Sequence, residues 1–391
     1  MGSQKPPAGH ASSKAVIEDE AGRRPFMRGI MVHSLMSRGA SFDEAYRVAS
    51  AVRERIRGRE SVGRPELAGL VEELFKGVRP LERAPLLPPQ PIWVTGHGKG
   101  SPFSKGVLAQ SLLAAALEPD DAFEVAREIE RLLFARAAAE IDRGELRRMA
   151  HETLRRTLGE REAERYRVWR HFQGSERPLL LLLGGTSGVG KTALAQEVAH
   201  RLGISRVAST DAIRQVMRIM LSPELVPAIH ASSYDAHRVV PDLLPGEDAV
   251  VAGFRAQASI VSVGVRAMMD RAVAENSSTI LDGVSVIPGL VDLEAYGEVA
   301  HVIFLLVATL DEEAFRNRFA ARARDTARRP PHRYLENLDA ILRIQDHLLE
   351  VAESHEIPIV DNVTFDATVL SILRHVTEAL RKTGHFDDPP L

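Results

Sequence analysis

The chain contains no cysteine, which removes disulfides, thiolate zinc sites and a thiol nucleophile from consideration together. A reducing, cytoplasmic setting fits that absence. Aromatic residues make up only 5%, and 50 Lys plus Arg against 53 Asp plus Glu leave a net charge of -3. Strand-binding surfaces need stacking platforms and a basic groove, so nucleic acid is not expected as a partner. Long apolar runs are missing as well. The most apolar stretch, Leu179 to Leu183, falls far short of the ~20 residues that cross a bilayer. No membrane partner is expected, and residues 1–24, polar and rich in small side chains, hold no signal-peptide core and read as a disordered tail. What remains is 45% hydrophobic and 26% charged over 391 residues. At ~100 to 200 residues per domain that is material for two or three packed domains.

The first of these domains is duplicated. Pro25-Phe26, Gly29, Ser34-Leu35, Asp43, Ala45 and Val48-Ala49 recur 77 residues later as Pro102-Phe103, Gly106, Ser111-Leu112, Asp120, Ala122 and Val125-Ala126. After a two-residue slip, Arg64-x-Glu66-Leu67 matches Arg143-x-Glu145-Leu146. Apolar spacing predicts two short helices and a third in each copy, the second opening at Asp43 or Asp120, whose carboxylates can cap free N–H groups. Ile92 to Gly100 predicts a strand and glycine turn ahead of the second copy, a lead-in that residues 6–24 do not offer the first. Prolines between 80 and 91 predict a stiff linker, and a charged helix is expected from about Asp142 to Arg170. The expected division is a helical module at 25–90, a second module with its linker helix at 91–175, and a further domain at 176–391.

In that last domain short apolar runs alternate with amphipathic helices: Leu179 to Leu183, Arg206 to Ser209, Ser278 to Leu281, His301 to Val307 and Ile357 to Val360. Five such strands predict a doubly wound α/β fold around a parallel five-stranded sheet. Directly after the first strand, Gly185-Thr186-Ser187-Gly188-Val189-Gly190-Lys191-Thr192 satisfies G-x-x-x-x-G-K-[ST] in the required setting of strand, loop and helix. Glycines let the backbone turn its N–H groups inward as a nest for phosphate oxygens, and the helix that follows adds its positive end. Lys191 is then expected to reach the β and γ phosphates of ATP, and the Thr192 hydroxyl to ligate Mg2+. From residue 176 onward there are only two lysines, Lys191 and Lys382, so a compact ammonium stands where it has to fit between phosphates.

The other candidates follow from position. Asp211, at the end of the second strand, either takes a proton from an acceptor hydroxyl or merely caps the next helix; Arg214 can hold an anionic substrate. Asp282 ends the third strand as a Walker B carboxylate does and can hold magnesium, or it is ordinary turn chemistry. After the fourth strand Arg316, Arg318, Arg322, Arg324, Arg328 and Arg329 crowd a segment that reads as a lid, with Arg318 on the nucleotide and Arg322 on the transferring group.

These residues carry a family resemblance. Residues 180–362, with GGTSGVGKT at 184–192, STDAIR at 209–214, SSYDA at 232–236, GFRAQ at 253–257, VSVGVRA at 261–267, DGVSVIPG at 282–289 and ILRIQDHL at 341–348, resemble the 2-phosphoglycerate kinases, P-loop small-molecule kinases. The second copy, 101–130, is similar to the ATP-cone modules that bind nucleotide as regulators. The resemblance implies transfer of the ATP γ-phosphoryl group to 2-phosphoglycerate, giving 2,3-bisphosphoglycerate and ADP. Ser232, Ser233 and Tyr234 then either bind the acceptor or pack and cap a helix. One departure is Ser285, where the family pattern reads G-V-H. The tandem modules imply either nucleotide sensing or a homo-oligomer interface. Two rivals remain: a P-loop kinase for another small anionic hydroxylated metabolite, and a non-catalytic ATP sensor.

Overall fold

Between Ile92 and Trp93 the chain divides into two compact units, residues 1–92 and 93–391. The computed structural model describes residues 16–19, 22–36, 40, 42–75, 91–96, 100–136, 139–240, 246–313, 315–317 and 336–383.

In the first unit β1 (Val16–Asp19) pairs antiparallel with β2 (Gly22–Pro25) and parallel with β3 (Ser61–Gly63), giving the order β2-β1-β3. Three helices complete it, α1 (Arg28–Met36), α2 (Phe42–Arg55) and α3 (Arg64–Phe75). Ala45, Val48, Ala49 and Val52 recur along α2 at helical spacing and are buried against Leu35, Ile56, Val71 and Phe75. The hairpin corrects the expectation that the first copy lacks a lead-in and that residues 1–24 are a tail throughout. Its strands are only four residues long and mix Val16 and Ile17 with Glu18 and Asp19, too little alternation to register as a pattern.

The second unit opens with the same arrangement. β4 (Trp93–Thr95) lies between β5 (Ser101–Pro102) and β6 (Glu140–Asp142), antiparallel to one and parallel to the other. Val16 and Trp93, which open the leading strands, are themselves 77 residues apart, so the repeat includes the strands. The helices are α4 (Lys105–Ala114), α5 (Pro119–Ala135), α6 (Arg143–Thr157) and α7 (Glu160–Phe172). The single helix expected over 142–170 is therefore two, broken at Gly159, whose φ of +117° suits glycine alone. Nor does Asp120 cap α5. Pro119 starts that helix, and Asp120 and Asp121 sit in its first turn, where they complement the positive helix end.

The α/β part has five parallel strands in the order β11-β10-β7-β9-β8: β7 (Leu179–Gly184), β8 (Arg206–Ser209), β9 (Thr279–Gly283), β10 (His301–Ala308) and β11 (Ile359–Asp361). Every residue of β7 is buried, as a central strand covered on both faces requires. Five leucines there remove apolar surface worth ~1.5 to 3 kcal/mol each from water. Among the described residues the α-helices of this part are α8 (Lys191–Leu202), α9 (Thr210–Met220), α10 (Pro227–His230), α11 (Ala249–Ala274), α12 (Leu338–Ser354) and α13 (Phe365–Thr383). α8 packs with α13, and α11 packs with α12. The two parts of this unit are joined closely: α4 packs on α8 and α7 on α13, while Ser175 Oγ lies 3.1 Å from His301 Nε2 and the Phe172 ring meets His301 edge-on. Among the described residues no helix is long and apolar enough to cross a membrane.

Candidate active site

β7 is flanked by β9 on one side and β10 on the other; the chain leaves β7 toward β8 and β9 and then crosses to β10 and β11, so the loop after β7 opens at the point where the sheet reverses direction of winding. Ligands of open α/β sheets bind there. Gly185, Gly188 and Gly190 all have positive φ, +142°, +92° and +88°. A side chain on Gly185 would overlap the Val307 carbonyl of β10, so the loop can lie against the sheet edge only with glycine there. α8 begins at Lys191 immediately beyond Gly190, bringing a helix N-terminus to the same place.

Lys191 is buried, and its Nζ donates to the Thr186 carbonyl at 2.7 Å. Thr192 Oγ1 donates to Asp282 Oδ2 at 2.7 Å, joining the first turn of α8 to the end of β9. The other carboxylate oxygen, Asp282 Oδ1, is buried without a hydrogen-bond partner. Burial pushes the Asp282 carboxyl above its usual range. The Thr192 bond and the Lys191 ammonium pull the other way, and the Asp211 charge adds to the rise. Two carboxylates, a lysine and a threonine thus act on one another around the loop.

Asp211 reaches this space because α9 starts hard against the end of β9. A side chain on Gly283 would overlap Thr210 Oγ1, so the close approach exists only with glycine there. The cap of α9 is Ser209, whose hydroxyl accepts from the Ala212 N–H at 3.2 Å, and Asp211 is left without capping duty in the first turn. Its Oδ1 accepts instead from Arg214 Nη2 at 3.0 Å. Arg214 is expected from sequence to hold substrate, but its other terminal nitrogen donates to the carbonyls of Ile229 (3.2 Å) and Ala231 (2.7 Å). The guanidinium therefore ties Asp211 to the turn that presents Ser232 and Ser233. Those two serines are half-buried and Tyr234 is buried. Arg316 is paired with Glu312 at 2.6 Å, while Arg318, Arg322, Arg324, Arg328 and Arg329 lie outside the described residues.

The ATP cone domain family matches residues 94–175. A 2-phosphoglycerate kinase of Methanopyrus kandleri is 42% identical over 72% of this chain and 85% of that protein. One from Methanothermobacter thermautotrophicus is 39% identical over 74% and 95%, and one from Pyrococcus horikoshii 36% over 71% and 90%. The chain belongs to the 2-phosphoglycerate kinase family.

In this 2-phosphoglycerate kinase family member, three buried amides that sequence reasoning did not single out brace the site. Gln257 of α11 donates through Nε2 to the Ala231 carbonyl at 3.1 Å and also to that of Ala228, on the turn that Arg214 holds. Gln345 of α12 pairs with both backbone groups of Thr309 at the end of β10, at 3.1 and 3.0 Å. Asn362 donates to the Val189 carbonyl inside the phosphate loop at 2.7 Å. The signal was available for Gln345: a polar residue among Ile341, Ile344 and Leu348 on the buried face of a helix must have a partner.

The second copy brings Arg143, Arg147 and Arg170 near one another. Arg170 of α7 donates to Ser111 Oγ at 3.4 Å, and burial pushes its guanidinium below the usual arginine range, with Arg147 and Arg143 pushing the same way. The Nε atoms of Arg147 and Arg170 are buried without partners. Burial raises the Tyr166 hydroxyl, which the Arg170 and Arg147 charges draw back.

Proposed function

We propose that this protein transfers the γ-phosphoryl group of ATP to the 3-hydroxyl of 2-phosphoglycerate, giving 2,3-bisphosphoglycerate and ADP. The observation that supports it best is the grouping of Lys191, Thr192, Asp282 and Asp211 around a glycine-built phosphate loop.

In this reading the N–H groups of residues 185–192 cradle the triphosphate, and Lys191 leaves the Thr186 carbonyl to lie between the β and γ phosphates. Arg214 keeps Asp211 oriented toward the acceptor. As the acceptor oxygen bonds to the γ-phosphorus, its proton passes to Asp211; the bond from that phosphorus to the β–γ bridging oxygen breaks and ADP leaves with the electron pair. Ser232 and Ser233 present hydroxyls to the acceptor, with Arg318 on the nucleotide and Arg322 on the transferring group. Thr192 and Asp282 are a fitting pair for Mg2+, since Asp282 keeps a buried oxygen without a partner beside the Thr192 hydroxyl. When bound, the ion offsets the phosphate charge.

A coupled assay of ADP release with ATP, magnesium and a panel of hydroxy acids tests the reading. Turnover with 2-phosphoglycerate is expected to exceed that with 3-phosphoglycerate, shikimate or gluconate by a wide margin. A preference for any other acid would leave the enzyme class and overturn the substrate.

The second copy is a nucleotide sensor in the same reading, with Arg143, Arg147 and Arg170 receiving the phosphates. The first copy is a related module that does not share the role, because Ala68 stands where the second has Arg147. Replacing both Arg147 and Arg170 by alanine is expected to weaken one of two ATP sites by roughly 10- to 100-fold per lost charge-assisted contact. The KM of the catalytic site for ATP should not change. Calorimetry that still finds two sites of wild-type affinity would remove the sensor.

A further inference from the structure

A residue outside the phosphate-loop motif is hydrogen-bonded into the loop. Asn362 follows β11 and is almost fully buried, as are Thr368 and Val189 around it. Its backbone N–H donates to the Ala308 carbonyl at 2.8 Å, fixing it to the end of β10. Its carboxamide then has two partners of opposite kind. Nδ2 donates to the Val189 carbonyl at 2.7 Å, and Oδ1 lies 3.0 Å from the Thr368 hydroxyl, whose single proton is shared with the Thr364 carbonyl at 2.6 Å. A carbonyl accepts only, so the amide orientation is dictated by Val189.

The consequence is in the peptide that joins Val189 to Gly190. A trans peptide is planar, and its C=O and N–H point in opposite directions. Drawing the Val189 carbonyl toward Asn362 turns the Gly190 N–H the other way, away from Asn362. The glycines themselves do not fix it there. Gly190 has a φ of +88°, glycine crosses between such states at low cost, and Gly188 stands on the other side of Val189. A side chain at Gly190 would come within 3.0 Å of Asn362 Nδ2, so the clamp and the glycine fit each other.

We propose that Asn362 is a positioning residue for ATP: through Val189 it holds the Gly190 N–H as a phosphate donor, and Thr368 fixes the amide that does so. The proposal rests on the reading of residues 185–192 as the ATP cradle and adds a residue beyond that motif.

The full-length enzyme is assayed with both substrates varied, as wild type, Lys191→Ala, Asn362→Ala, Asn362→Asp, Thr368→Val and Thr368→Ser, with Mg-ATP binding measured in parallel. Asn362→Asp keeps the shape but turns a donor into a carboxylate facing a carbonyl. Both Asn362 variants are expected to raise the KM for ATP about 10- to 100-fold, the worth of one hydrogen bond to a charged group. The KM for 2-phosphoglycerate should stay within about twofold, the scale set by the same hydrogen-bond reasoning. Thr368→Val should give a smaller rise and Thr368→Ser, which keeps the hydroxyl, should restore wild-type behaviour. If Asn362→Ala does not fold, Asn362→Asp and the Thr368 pair decide the matter. A wild-type KM for ATP in the Asn362 variants, while Lys191→Ala has lost one of the two ATP sites, overturns the clamp. An equal rise in both KM values also overturns it, because that is what general loosening gives. Two ATP sites of wild-type affinity in Lys191→Ala instead overturn the cradle reading itself.

Discussion

Lys191→Ala should lose at least about a thousandfold in kcat/KM while the protein stays folded. The size follows from what the ammonium does. Removing one neutral donor from a preorganised anion site costs on the order of 100- to 1000-fold, and Lys191 is a full charge aimed at the β and γ phosphates, where negative charge gathers during transfer. The fold should tolerate the change, because the hydrogen bond that ties the ammonium to the Thr186 carbonyl contributes only about 1 kcal/mol. Lys191→Arg should fail nearly as badly. The planar guanidinium cannot enter a space shaped for a compact ammonium, in a domain that otherwise uses arginine almost throughout. Initial rates at saturating 2-phosphoglycerate, with thermal melts alongside, measure both halves. Activity within tenfold of wild type in Lys191→Ala would refute the assignment of this loop as the catalytic phosphate site.

How much of the fold and the site is legible in the sequence depends on whether the physics acts locally. The β8 strand begins and ends where the sequence puts it, at Arg206 and Ser209, and the other four strands are displaced by at most a residue or two. Short apolar runs between helices leave few alternatives. The phosphate loop is legible for a related reason, since a nest of inward N–H groups needs glycines at fixed positions. The leading hairpin of the first copy is not, because its central strand β1 draws its stability from pairing with β3, some forty residues on, rather than from its own pattern. The break at Gly159 is visible as a residue but not as a turn, since glycine inside a charged helical run is tolerated as often as it interrupts. Least legible are the residues whose partners are distant carbonyls. Arg214 has the chemistry of an anion binder, and only the folded turn at Ile229 and Ala231 shows its guanidinium already engaged. Asn362 meets Val189 across most of the domain's sequence, and no spacing rule connects them.

Asp211→Asn should lower kcat by about 100- to 10,000-fold, the range for a positioned general base, and leave the affinity for ATP close to wild type. The substitution is a narrow one. Asn keeps an oxygen for Arg214 Nη2, the α9 cap belongs to Ser209, and the side chain is largely exposed, so neither the helix nor the turn at Ala231 should move. What disappears is the ability to take the acceptor's proton. Two further variants separate loss of the base from disturbance of its neighbours. Arg214→Met leaves Asp211 intact but releases it and the Ile229–Ala231 turn together, so it should raise the KM for 2-phosphoglycerate as well as lower kcat. Asp282→Asn removes the carboxylate beside Thr192 and should weaken magnesium-dependent ATP use, which Asp211→Asn should not. A protein that only senses ATP would be indifferent at Asp211, since that carboxylate is tied to Arg214 rather than to the phosphate loop or to the arginines of the second copy. Full turnover in Asp211→Asn with the other two variants impaired would mean that the proton goes elsewhere, and that the carboxylate at the head of α9 serves only to anchor Arg214.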